Sequence, residues 1–236
     1  MFFIHPVIFQ EINMSWNPHQ YEHLVEGNRD PIFQQYVRAE FECIKGVNGS
    51  KNRTFVDVGA GYGRILPHLT TVAGSVIAIE LDANMASELE KRASLYQNVT
   101  VIEGDAQQLS TLLSQSELEG AIFLLLQNTL GTITGDWRRV LQEVENLAKL
   151  NHGEIVLSLL SQEALANWGI KLYRSLEEMT GPADLERTDF DAGIFRSKTG
   201  YVSKWWRIEE RESFKTGTLL NEIKTHTHHI LHMEYS

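Results

Sequence analysis

Cysteine is nearly missing from this chain: Cys43 is the only one in 236 residues. An internal disulfide is thereby excluded, and so is a metal site built on paired thiolates. Long apolar runs are missing too. No stretch reaches the length that crosses a bilayer as a helix, so no membrane partner is expected. The opening ten residues are apolar but lack a basic start and a small-residue cleavage site, a poor match to a secretory leader. Met14 opens a more ordinary stretch, and the sequence leaves open which of Met1 and Met14 is the start. One thiol and no leader pattern make a cytoplasmic location the expectation. Positive charge is scarce: 21 Lys and Arg against 31 Asp and Glu give a formal net charge of −10. Such a surface repels phosphate backbones, and no dense Lys/Arg run offsets it, so a nucleic-acid partner is disfavoured. The oligomeric state is left open.

What is present is patterning. Residues 31–47 carry apolar side chains at helical spacing behind Asp30 and Pro31, a cap followed by a proline suited to the first turn. From residue 54 short apolar strands (54–58, 75–80, 99–103, 120–126 and 153–160) alternate with helical stretches. The run 120–126 is apolar throughout, the mark of a central strand covered on both faces. Strand and helix alternating at this spacing imply parallel strands with right-handed crossovers. The expected fold is therefore α/β: a doubly wound, mostly parallel seven-stranded sheet with helices on both faces, Rossmann-like. A C-terminal antiparallel strand pair and an N-terminal helical extension complete it. Residues 1–53 are expected to form an arm and helix, 54–160 a nucleotide-binding core, and 161–236 a helix and edge strands finishing the sheet. In this last part, 162–179 reads as one helix, and 201–209 and 219–233 as two strands of a hairpin.

The chemistry concentrates at the first strand end, Asp57-Val58-Gly59-Ala60-Gly61-Tyr62-Gly63-Arg64. Alternating glycines there permit positive φ and let a ligand approach the backbone. A dinucleotide fingerprint wants a further glycine where Arg64 stands. Asp57 would repel a pyrophosphate and attract the ammonium group of an amino-acid-bearing cofactor. Charge therefore favours S-adenosylmethionine over NAD. Glu80, ending the second strand before Leu81, stands where an acid reaches ribose hydroxyls. Asp105, before Ala106, ends the third strand and suits the adenine amino group. Gln127 and Asn128 follow the fourth.

At these residues the chain resembles the class I S-adenosylmethionine-dependent methyltransferases, over roughly residues 54–160. The resemblance implies S-adenosylmethionine bound by Asp57, Gly59, Ala60, Gly61, Gly63, Glu80, Leu81, Asp105, Ala106 and Gln127. It implies in-line methyl transfer in which proximity and orientation do most of the catalysis. No catalytic residue is assigned, and no metal.

The acceptor is less legible. The Asn/Asp-Pro-Pro-aromatic turn of amino-adenine methyltransferases is replaced here by Gln127-Asn128-Thr129-Leu130. The stretch from Gln127 to Gly131 is similar to small-molecule N-methyltransferases of the glycine/sarcosine type. The Ser15-Trp16-Asn17-Pro18 opening is similar to trans-aconitate-type carboxyl methyltransferases. Both favour a small-molecule methyl acceptor. Tyr201, Ser203, Trp205 and Arg207 share one face of a strand and suit an anionic or aromatic ligand. With Asn128, and with Trp16 and Tyr21 as a lid, they are the expected acceptor residues. The alternatives are a methyltransferase acting on RNA or protein, and a non-catalytic cofactor-binding protein. His226, His228 and His232 would share a strand face, but no supporting ligand set accompanies them.

Overall fold

The computed structural model describes residues 16–235. The choice between Met1 and Met14, and Ser15 of the opening motif, lie outside the described residues. Local chemistry sets the first helices. The Asn17 side chain accepts from the Gln20 amide at 3.1 Å and starts α1 (Pro18–Glu26). Asp30 accepts from the Ile32 and Phe33 amides, both at 2.9 Å, and starts α2 (Pro31–Lys45). Each helix has proline in its first turn, where no amide donor is lost.

The alternating segment follows: β1 (Thr54–Val58), α3 (Leu66–Val72), β2 (Ser75–Glu80), α4 (Ala83–Ala93), β3 (Val99–Glu103), α5 (Leu109–Leu112), β4 (Ile122–Leu125), α6 (Thr129–Thr132), α7 (Trp137–Leu150) and β5 (Glu154–Leu160). Beyond it come α8 (Ile170–Ser175), α9 (Glu177–Thr180), β6 (Ile194–Arg196), β7 (Val202–Lys204), α10 (Ile208–Ser213), β8 (Thr218–Lys224) and β9 (His228–Glu234). The main sheet has seven strands in the order β3-β2-β1-β4-β5-β9-β8. β1 to β5 pair in parallel, and β9 joins β5 and β8 antiparallel. Strand order reverses between β1 and β4, so a crevice opens beyond their carboxyl ends, where ligands of this fold class bind.

Alternation builds two cores. Val56, Val58, Leu157 and Leu159 face one side with Val140 and Val144 of α7. Phe55, Ala78, Leu124 and Val156 face the other with Leu69 and Leu89. A third apolar cluster lies beyond the strand ends, joining Val25, Phe33, Tyr36, Tyr173, Phe195 and Trp205.

The C-terminal third departs from expectation in three places. First, the stretch 162–179 is not one helix: a π-helical turn, Leu165–Gly169, separates an initial 3-10 turn from α8, and α9 follows. Gly169 packs against the Trp205 ring, where a β-carbon would meet Cη2 at 2.8 Å, so tertiary packing shapes that turn. Second, 201–209 is a strand only through Lys204. β7 pairs with β6 in a separate two-stranded sheet, and the chain then enters α10. Glu210 accepts from the Arg207 amide at 2.9 Å, a capping interaction that favours helix there. Third, the edge hairpin is β8 with β9, both inside the stretch read as one strand, turning at Thr225–Thr227 through the Thr225 hydroxyl.

The histidines do not converge. His232 Nε2 meets Glu154 Oε2 at 2.5 Å, and His228 packs on the Tyr36 ring at 4.9 Å. Among the described residues Glu212, Glu222 and His229 are close enough to share an ion. Lys215 and Lys224 already bridge those carboxylates, at 2.6 to 2.9 Å.

Candidate active site

The crevice beyond β1 and β4 is a cavity of 890 Å³. Its first half is built by strand ends. The turn after β1 holds Gly59, Gly61 and Gly63 at φ of 73°, 58° and 88°. Two of these glycines have packing duties. A β-carbon on Gly59 would meet Thr129 Cγ2 at 2.6 Å, and one on Gly63 would meet Leu89 Cδ1 at 2.8 Å. One on Gly61 would meet nothing within 4 Å, because it would point into the cavity. Glu80 braces the turn: Oε2 accepts from the Gly61 amide at 2.8 Å. Oε1 accepts from the Leu81 and Asp82 amides at 2.9 and 2.8 Å. Burial still pushes the Glu80 carboxyl up against those three donors. Asp105 accepts from the Gln107 amide at 2.8 Å, so it also caps the turn behind it.

Asp57 is different. It is buried, and its Oδ2 has no hydrogen-bond partner. Burial pushes its carboxyl up to about 7, the Arg64 guanidinium counteracts, and Glu40 and Glu80 add to the rise. A buried acceptor left open at a cavity wall is costly unless a ligand completes it.

Sequence reasoning missed the group beside it. Glu40, fully buried on α2, holds Arg64 Nη2 at 2.8 Å. Burial works against the Arg64 charge, and Glu40 more than restores it. Nη1 of Arg64 stays buried without a partner. The other Glu40 oxygen accepts from Ser158 Oγ at 2.7 Å and from the Gln127 amide at 2.5 Å. Ser158 also lies 2.8 Å from the Tyr36 hydroxyl. Gln127 and Asn128 both have positive φ, 50° and 60°. That conformation costs an L residue about 1 kcal/mol or more, and Glu40 anchors it. The available signal was a lone glutamate on the apolar face of a helix, four residues after Tyr36.

The second half of the cavity is aromatic. Trp16 meets Tyr21 and Tyr201 edge-on at 5.8 and 5.9 Å, and Tyr21 packs on Tyr62 at 5.6 Å. Tyr36, Tyr173 and Ser203 also line it. The remaining expected acceptor residues lie elsewhere or are engaged. Trp205 is fully buried outside the cavity wall, and its Nε1 donates to the Tyr173 hydroxyl at 2.9 Å. Arg207 is off the wall as well, at the exposed start of α10 beside Glu210. The strand bends after Lys204, so alternation no longer carries those two residues to the cavity. Asn128 touches the wall, but both ends of its amide are occupied. Nδ2 donates to the Lys204 carbonyl at 2.9 Å, and Oδ1 accepts from Trp206 Nε1 at 2.9 Å and the Leu160 amide at 3.2 Å.

Residues 55–151 match the family described as Methyltransferase domain. That segment carries a methyltransferase domain of the class I S-adenosylmethionine-dependent type. It is 31% identical over 132 residues to an rRNA adenine N-6-methyltransferase from Bacteroides fragilis, a match covering 56% of this chain and 46% of that one. The chain spans less than half the length of the curated relatives it matches. In fold it is similar to the PH0226 protein from Pyrococcus horikoshii, with a TM-score of 0.63, 17% identity and coverage of 91% and 96% of the two chains. It is also similar to magnesium protoporphyrin IX methyltransferase from Synechocystis, solved with bound SAH, with a TM-score of 0.55, 13% identity and coverage of 92% and 94%. The relatives correct one expectation. Several are ribosomal RNA methyltransferases, so net negative charge does not disfavour a nucleic-acid partner for this chain. The matched stretch carries the glycine turn and the strand-end acids, and net charge is a whole-chain quantity that says little about any one face. No helix among the described residues is long and apolar enough to cross a membrane.

The family's cofactor, S-adenosylmethionine, suits the groups present. The open Asp57 oxygen and the open Arg64 nitrogen have opposite charges, as do the ammonium and carboxylate of an amino acid. The open face of Gly61 leaves the cradle without a side chain in the way.

Proposed function

We propose that this chain transfers the methyl group of S-adenosylmethionine to a small molecule held in the aromatic half of the cavity. The observation that carries this is the adjacency, in one cavity, of an uncompensated buried Asp57 and an aromatic chamber. When bound, the cofactor supplies a methyl already activated on a sulfonium. Asp57 would hold its ammonium, Arg64 Nη1 its carboxylate, Glu80 its ribose and Asp105 its adenine amino group. Trp16, Tyr21 and Tyr201 would exclude water and orient the acceptor. Among the described wall residues of the aromatic half there is no carboxylate or imidazole. The contribution of these residues is therefore positioning rather than proton abstraction. A cytoplasmic setting suits the single buried thiol.

The rRNA methyltransferase relatives favour a second reading, in which an unpaired RNA base enters the same chamber. Calorimetry with S-adenosylmethionine, then transfer of labelled methyl into separated small-molecule and RNA fractions, tests both. Label in the small-molecule fraction supports the first, and label in RNA the second. Absence of cofactor binding overturns both.

A further inference from the structure

We infer that the acceptor half of the cavity takes an uncharged, planar aromatic ring and rejects acceptors that carry a formal charge. This rests on the proposed methyl transfer and narrows its substrate class. The charges on the cavity wall are Asp57, Arg64, Glu80, Asp82 and Asp105, all at or just beyond the ends of β1, β2 and β3. The wall contributed by α1, α2, α8, α9 and residues 200–203 has none among the described residues. It consists of ring faces and aliphatic side chains, such as Phe33, Leu172, Leu176 and Met179.

Two of the hydroxyls on that wall are engaged. The Tyr173 hydroxyl accepts from Trp205 Nε1 at 2.9 Å, and its ring stacks on Phe195 at 3.7 Å. The Tyr36 hydroxyl is tied to Ser158, which also bonds Glu40. Arg207, the cation expected to greet an anionic acceptor, stands outside beside Glu210. A carboxylate or ammonium entering here would lose its hydration with no charged side chain of this wall to replace it, the nearest being Asp82, which accepts from the Trp16 amide at 3.4 Å, whereas a flat neutral ring would exchange water for ring contacts. Ring pairs on this wall already meet edge-on, Trp16 against Tyr201 at 89°, the arrangement a third ring extends. A free aromatic molecule and an unpaired nucleobase share this chemistry.

The test uses the full chain saturated with S-adenosylhomocysteine, whose binding is measured first by calorimetry. Failure at that step sinks the proposed activity itself. Indole and phenol are then titrated against benzoate and benzylammonium. Neutral rings binding at least about tenfold more tightly than either charged ring is the expected result. Equal or tighter binding of a charged ring, or no measurable binding of a neutral one, overturns the inference and leaves the cofactor reading intact. Leu172→Trp, which fills the chamber, should abolish indole binding and spare S-adenosylhomocysteine. Retained indole binding would overturn the assignment to this chamber. If that variant loses S-adenosylhomocysteine as well, the charge comparison on the unaltered chain decides. A short single-stranded RNA with one unpaired adenine separates the two sources. Displacement of indole assigns the ring to an RNA base, and no displacement assigns it to a free molecule.

Discussion

One half of the cavity is made by strand ends and the other by side chains gathered from distant segments, and the two obey different chemistry. At the strand ends much of the bonding is local. Glu80 binds the amides of Leu81 and Asp82, and Asp105 that of Gln107. Strand order then brings these acids together around one crevice. The aromatic half has no such local logic. Trp16, Tyr36, Tyr173 and Tyr201 come from four parts of the chain and share a wall only after folding. In the proposed activity the charged half would read a ligand through fixed charge, and the neutral half through shape and the exclusion of water.

The comparison breaks hardest at Trp205. Trp205→Ala removes a fully buried ring from behind the aromatic wall and should cost about 3–5 kcal/mol of stability, seen as a lower denaturant midpoint. A folded variant of unchanged stability that had lost only acceptor binding would return Trp205 to the wall. Asp57→Ala comes next. It should weaken S-adenosylmethionine binding by about 100-fold, or ~2.7 kcal/mol. Because an unpaired buried oxygen is removed, the stability of the unliganded protein should hold or rise. Calorimetry and thermal melts on one sample measure both, and unchanged affinity would remove Asp57 from the cradle.

A pH series is gentler. Burial, eased by Arg64, puts the Asp57 carboxyl at about 7 in the folded chain, above its unfolded value. The fold binds this proton more tightly than the unfolded chain does. Asp57 therefore makes stability fall as pH rises from about 4 to 7, with no further change above. A cationic partner needs the ionised form, so cofactor affinity should rise by up to about tenfold per pH unit below 7 and level off above it. Asp57→Asn should flatten that profile, and a slope that survives belongs to another group. The smallest effect is expected at Arg207, exposed beside Glu210. Arg207→Ala should change stability by no more than about 0.5 kcal/mol and leave cofactor affinity unaltered. A clear loss of binding to a charged acceptor in this variant would reopen the anionic reading.

The strand-end site was legible because its signals are short-range. Asp57, Gly61, Glu80 and Asp105 all stand on the cavity wall where the pattern put them. Leu81 and Ala106 stand there too, as does Gln127. The Glu40–Arg64 pair was not legible, since 24 residues and a helix-to-strand crossing separate its members. Arg64 read only as a residue too bulky for a dinucleotide turn, whereas in the fold it is half of a buried ion pair. The late segment misled for another reason. Alternation assigns faces only while a strand continues, and β7 stops at Lys204. Trp205 and Trp206 then bury on different sides, one in the cluster beyond the strand ends and the other in the main core.

Period and turn chemistry, written residue by residue, settled the doubly wound sheet and the positions of the glycine turn and of the acids at its strand ends, because strand alternation and local hydrogen bonds need no distant partner. The tertiary structure alone decided that Glu40 would pair with Arg64, that Arg207 would stay outside, and that the aromatic wall would carry no charged side chain among the described residues. Those outcomes depend on which far-apart side chains share a wall, and burial sets their energies only once the chain has closed around them.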